Sequence, residues 1–144
     1  MSPDPTDFAG SKVLLHCDGQ VLAYLRDDKP DLPWPARWDL PGGGREGDES
    51  PEACVLRELH EEFGLRLAPN RLLWARAFPA IMDPARIGWF FAGRLSPTEI
   101  SAIAFGDEGQ FWRMLPVVDW LDHPQGVTPL QGNSRTALSE LGWL

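Results

Sequence analysis

The stretch from Gly43 to Leu65, GGREGDESPEACVLRELHEEFGL, constrains this chain more than any other. It sets a glycine turn and a lone Glu49 ahead of Arg57, Glu58, Glu61, Glu62 and Gly64. Ser50 suits the N-cap of a helix, Pro51 its first position, and Glu52 in the first turn favours the positive end of the helix dipole. Gly64 can adopt the left-handed conformation that ends a helix. The pattern therefore predicts a helix from Pro51 to Phe63.

At about 100° per residue, Leu56, Leu59 and Phe63 share one side of that helix, and Glu58, Glu61 and Glu62 fall within an arc of roughly 100° on another. Glu58 and Glu62 are an i, i+4 like-charge pair, costing a few tenths of a kcal/mol on a bare helix. A solvated acidic face is one explanation. A divalent cation is the other, because clustered carboxylate oxygens suit Mg²⁺ or Mn²⁺, which bridge to substrate phosphates without a full protein cage.

The whole pattern favours the cation. Gly43, five residues, Glu49, seven residues, then Arg57-Glu58-Leu59-His60-Glu61-Glu62-Phe63-Gly64-Leu65 resembles the Nudix box of the Nudix hydrolase (MutT-like) family at every fixed position. Seven such identities would arise by chance in fewer than about one window in 10⁸ at ordinary residue frequencies. Weaker similarity extends from Val13 to Leu115.

A chain of 144 residues is expected to be a single domain. Thirteen basic against twenty-one acidic residues give a net charge of −8, which argues against a nucleic-acid polymer or an anionic membrane as partner. Cys17 and Cys54 lack paired metal-ligand spacing and are expected to be reduced core residues. The start, MSPDPTDFAG, has neither the basic residues nor the apolar run of a secretory signal, and no stretch approaches 18 uninterrupted apolar residues. The expectation is a cytoplasmic protein, monomeric or homodimeric, with residues 1–10 as a loosely attached tail.

Along the chain, 12–17 and 21–26 read as a hairpin turning at Asp18-Gly19, and the proline-rich stretch 27–37 as a loop. Residues 38–40, 72–78, 86–95, 101–105 and 110–115 read as strands, and 117–121 and 134–141 as helices, the last capped by Asn133. His16 reads as a strand residue facing a partner. Pattern alone gives α+β; the resemblance implies the Nudix α/β/α sandwich around a central mixed sheet.

The resemblance also implies chemistry. In that family water attacks a phosphorus within a diphosphate linkage of a nucleoside diphosphate joined to another group. Carried over, Glu58, Glu61 and Glu62 are metal-binding carboxylates, Gly42 offers its carbonyl to the metal, and Glu58, Glu61 and Arg57 are the catalytic residues, with Glu58 a candidate general base. Glu49 and Arg57 orient the cluster, with Arg57 as a plain i, i+4 partner of Glu61 the alternative. Glu108 resembles the loop acid that completes the metal site in this family; it could equally be an ordinary loop acid. For the base, a flat apolar surface is required, and Trp34, Trp38, Phe78 and Trp89 lie in flanking segments, Trp34 being the candidate for stacking. Arg26, Lys29 and Arg37 could meet phosphates, and Asn133 could read a base edge.

Three functions fit: a Mg²⁺-dependent pyrophosphohydrolase acting on a nucleoside triphosphate or nucleotide sugar, a non-catalytic nucleotide-sensing or regulatory module, and an acidic interaction domain. The intact glutamates favour the first. The only tyrosine, Tyr24, lies upstream of the box, so the marker of diadenosine polyphosphate members is missing; Pro79 falls near the region of the ADP-ribose marker.

Overall fold

The computed structural model describes residues 7–144. Strands β1 (Phe8–Cys17) and β2 (Gln20–Leu25) form the expected hairpin, with Asp18 and Gly19 at φ 48° and 77° in the turn. Two short strands, β3 (Trp38–Asp39) and β4 (Gly42–Gly44), follow the loop, and β4 runs antiparallel to β1 with Lys12 opposite Gly42. The other side of β1 pairs in parallel with β6 (Ile87–Arg94), which carries β5 (Leu72–Pro79) antiparallel on its far edge. β7 (Phe111–Pro116) lies antiparallel along the whole of β2. Seven strands thus make one mixed sheet in the order β3-β2-β1-β6-β5, with β4 added on β1 and β7 on β2.

Successive side chains of a strand point to opposite faces, and here both faces are apolar. Val13, Leu15, Leu22, Tyr24 and Phe91 pack with Val55, Leu59 and Phe63 of helix α1 (Pro51–Phe63). Leu14, Val21, Ala23, Phe90 and Ala92 pack instead with Trp120 of α3 (Val117–Leu121) and Leu130, Ala137 and Leu138 of α4 (Thr128–Leu141), while Ile100 of a short α2 (Pro97–Ser101) packs on the α1 side. A sheet buried on both faces needs helices on both, and the result is an α/β/α sandwich. Each fully buried Leu or Phe contributes about 1.5 to 3 kcal/mol, and that burial fixes α1 against β1 and β4.

Four expectations are corrected. Of the tail, residues 1–6 lie outside the described residues, but Phe8 to Gly10 belong to β1 because Phe8 is buried against Cys54 and Ile87. Residues 101–105 are not a strand. Ser96 and Glu99 form a reciprocal capping box that starts α2 at Pro97, and the chain beyond Ser101 runs as a loop. Asn133 is not a cap: α4 begins at Thr128, with Pro129 in its first turn, which places Asn133 mid-helix. Cys17 is only half-buried, whereas Cys54 is in the core, and both thiols are free. His16 does sit in a strand, buried beside Trp143 at 5.3 Å between rings. Among the described residues no helix is long and apolar enough to cross a membrane.

Candidate active site

Helix α1 spans the residues its end signals predict. Ser50 Oγ accepts a hydrogen bond from the Ala53 N–H at 3.1 Å, and Gly64 closes the helix at φ 69°. At that end the carbonyls of Glu62 and Phe63 accept the N–H groups of Gly106 (2.8 Å) and Ala104 (2.9 Å), so the loop after α2 satisfies the open helix terminus. The three carboxylates are therefore set on a fixed arc, but burial sorts them. The Glu61 side chain is 54% exposed, that of Glu58 only 15%, and Glu62 is buried.

Arg57 gathers the outer part of the cluster. Its guanidinium grips Glu49 with two bonds (2.7 and 3.1 Å) and reaches Glu58 (3.0 Å), Glu61 (3.1 Å) and the Gly44 carbonyl (2.9 Å). This forked contact holds the Glu49 carboxyl below its usual range. Glu58 is pushed the other way by burial, against the pull of Arg57, with Glu61 and Glu108 adding like-charge repulsion. The Glu58 carboxylate also packs on Gly43, where a Cβ would lie 2.6 Å from its carbon. A side chain there would push the Glu58 carboxylate out of this position.

The inner carboxylate, Glu62, accepts the Gly42 N–H at 3.0 Å. Burial pushes its carboxyl up to about 8, with Lys12 acting in the opposite direction. Gly42 itself sits at φ 133°, and a side chain there would collide with the Ser11 carbonyl. The Gly42 carbonyl accepts the Lys12 ammonium at 3.2 Å. Among the described residues no three His, Cys, Asp or Glu side chains are already drawn together as a metal cluster. The donor set nonetheless fits a hard divalent cation: Glu58, Glu61, Glu62 and the Gly42 carbonyl are all oxygen donors on neighbouring elements. Two of the carboxyls, Glu58 and Glu62, have their charged forms disfavoured by burial.

Beside the cluster lies a cavity of about 280 Å³ lined by Trp34, Phe78, Ile81, Trp89, Leu130 and Asn133, with Gly43 and Gly44 on its border and Lys12, Arg26 and Asp39 in its wall. Trp34 and Asn133, read from sequence as base contacts, thus face one space. Trp38 does not join them; it is buried in the core edge-on to Phe111. Arg26 lines the cavity with its donors bonded to Pro33 and Asp39. Arg37 lies outside the lining and donates to the Pro124 carbonyl, while Lys29 is 67% exposed beside Asp27. Glu108 is exposed in the loop before β7, within electrostatic reach of Glu58.

Sequence reasoning missed Lys12, Tyr24 and Asp39. The buried Asp39 carboxylate accepts bonds from Lys12 (3.1 Å), Tyr24 (3.1 Å) and Arg26 (2.9 Å) through Oδ2 and from the Leu40 N–H (2.7 Å) through Oδ1. A lone aspartate between Trp38 and Leu40 was the only available signal.

The family profile described as NUDIX domain matches residues 10–132, most of the chain. The chain belongs to the NUDIX family. Among NUDIX relatives, a MutT-like protein of Streptomyces ambofaciens is 38% identical over 71 residues, 49% of this chain and 42% of that one, so the match spans less than half of that relative's length. Diphosphoinositol polyphosphate phosphohydrolase 3-alpha of Homo sapiens is 45% identical over 123 residues, 74% of this chain and 73% of that protein. The solved structure of a MutT protein from Methanosarcina mazei Go1 superposes with a TM-score of 0.68 at 20% identity, covering 91% of this chain and 90% of that one, which shows the shared fold.

Proposed function

We propose that this NUDIX protein is a metal-dependent pyrophosphohydrolase, acting as a monomer or homodimer, that cleaves the diphosphate linkage of a nucleoside diphosphate joined to another group by attack of water at phosphorus. The observation that carries this reading is an adjacency. Gly43 borders the aromatic cavity and also lies under the Glu58 carboxylate, so a base in the cavity would place its phosphates against the box. A divalent ion, Mg²⁺ or Mn²⁺, would polarise the phosphoryl oxygens when bound. Glu58, Glu61 and Glu62, with the Gly42 carbonyl and Glu108, are the groups to hold it.

Glu58 and Glu61 stand on the face that Arg57 organises, where either can orient or deprotonate water. Arg57, braced by Glu49, holds both carboxylates in place through one shared nitrogen. Trp34 and its apolar neighbours suit a planar ring, and the Asn133 amide offers both a donor and an acceptor to a base edge. The cavity-wall cations Lys12 and Arg26 are both bonded to Asp39, which favours a nucleotide over the diphosphoinositol chemistry named for the human relative.

The test is a panel of nucleoside triphosphates, nucleotide sugars, ADP-ribose, dinucleoside polyphosphates and a diphosphoinositol polyphosphate, assayed with Mg²⁺. Turnover of at least one nucleotide is expected. For that substrate Trp34→Ala should raise KM about tenfold, or about 1.4 kcal/mol, at the lower end of base stacking. Turnover of the inositol compound alone would overturn the reading. If Glu108 is a ligand, Glu108→Gln raises the Mg²⁺ concentration at half-maximal rate, and an unchanged metal dependence makes it an ordinary loop acid.

A further inference from the structure

We propose that Asp39 is a positioning residue that ties the Trp34 wall of the cavity to Glu62 in the box, and that Arg26 serves this tie rather than binding substrate phosphate. The inference deepens the nucleotide reading above and rests on it for its kinetic test alone.

The loop 27–37 holds Trp34 and Ala36 both at φ 52°, a region that residues with a side chain enter only when their surroundings over-determine it. Three contacts do so. The Arg26 N–H donates to the Arg37 carbonyl at 2.9 Å, and the Ala36 N–H to Asp27 at 3.0 Å, pinning the base of the loop. At its tip the Arg26 side chain grips the Pro33 carbonyl through Nε (3.1 Å) and Nη2 (2.9 Å), immediately before Trp34.

The same guanidinium donates Nη1 to Asp39 Oδ2 at 2.9 Å, and that oxygen also accepts Lys12 Nζ at 3.1 Å. Lys12 Nζ continues to the Leu40 carbonyl (3.1 Å) and the Gly42 carbonyl (3.2 Å). Gly42 in turn donates its N–H to Glu62 at 3.0 Å. The path from Pro33 to Glu62 thus runs through direct hydrogen bonds, the side chains they join and the backbone of Gly42. Two cations converge on a single buried carboxylate, so Asp39 fixes the separation of two cations that hold different things: Arg26 the aromatic wall, Lys12 the glycine turn. The guanidinium spends its Nε/Nη2 fork on Pro33 and an Nη1 donor on Asp39, so of its five N–H groups only one on each of Nη1 and Nη2 is left.

A fold staple would account for the same bonds, and a tie is shown only when disturbing one end is felt at the other. Hydrogen exchange on the free full chain makes that distinction. Arg26→Gln is expected to speed exchange of the Ala36 amide at least tenfold and that of the Gly42 amide, on the far side of Asp39, at least threefold, leaving Leu59 and Phe91 unchanged. Asp39→Asn should loosen both ends together. Arg26→Lys keeps the charge without the fork and should behave as Gln. Loosening confined to the loop, loosening spread through Leu59 and Phe91, or full protection in the Lys variant would each overturn the tie. If Asp39→Asn does not fold, the partly exposed Arg26 carries the test.

The kinetic test uses dGTP and ADP-ribose with Mg²⁺. Acting through Trp34, Arg26→Gln raises KM about tenfold with kcat within threefold, and adds less than twofold in KM to Trp34→Ala. Multiplying effects would mark Arg26 as a direct phosphate contact and defeat the proposal. Should Trp34→Ala leave KM unchanged on both, the nucleotide reading falls while the exchange result still decides the tie.

Discussion

Glu61 and Glu62 are adjacent and chemically identical, yet their surroundings are opposite. Glu61 reaches outward to Arg57, whereas Glu62 turns into the gap between α1 and β4 with the Gly42 N–H as its hydrogen-bond donor. Its folded carboxyl, at about 8, lies far above an ordinary glutamate near 4.5. Between those two values the folded chain keeps a proton that the unfolded chain gives up, so this residue makes the metal-free protein less stable as pH rises from about 4.5 to about 8. Glu62→Gln removes that cost and can still accept the Gly42 N–H. In EDTA the mutant should gain on the wild type in Tm as pH is raised from 5 to 8; a gap that does not change with pH would mean that Glu62 does not hold this proton.

The elements that were legible in the sequence are those whose signals are local. Ser50, Pro51 and Gly64 set both ends of α1, and Asp18-Gly19 sets the hairpin. α2 shows a weaker case of the same kind, since Ser96, Pro97 and Glu99 were there to be read but the apolar run after them suggested a strand. The start of α4 was hidden because Gly132 interrupts its middle, and because its buried Gln131 and Ser134 look polar while they bond to Trp120. Asp39 was invisible for another reason: its partners Lys12, Tyr24 and Arg26 come from β1, from β2 and from the residue just after β2, which only the sheet brings together. The capping box of α2 yields its own prediction. Glu99 also receives a two-bond grip from Arg71, which holds its carboxyl down to about 2. Its contribution is present above an unfolded value of about 4.5 and is lost as pH falls through 2. Glu99→Gln should therefore cost about 1 kcal/mol at pH 7, and urea unfolding should show that difference shrinking at pH 2.5. A cost independent of pH would leave the ion pair without a role.

At the scale of the molecule, the sandwich brings an acidic helix face and an aromatic cavity onto the border formed by Gly42 to Gly44, in a chain of net charge −8. A cation that binds only this folded arrangement stabilises it by about 2.7 kcal/mol at 100 times its dissociation constant. Mg²⁺ should therefore raise the Tm of the wild type more than that of Glu62→Gln at matched ionic strength, and equal shifts would reduce the carboxylates to a charged surface. The resemblance carried the family and the box; the walls of the cavity needed the fold, because Trp34, Trp89 and Asn133 come from a loop, a strand and a helix far apart in the chain. The claim that joins these scales is that the box carboxylates perform the chemistry on a nucleotide held by the cavity. Its most direct test is the kcat of Glu61→Gln and Glu62→Gln, at saturating Mg²⁺, on whichever nucleotide the wild type turns over. Each should fall at least about 10²-fold, the scale of losing a positioned electrostatic or acid-base group, and activity within threefold of wild type in both would contradict the account.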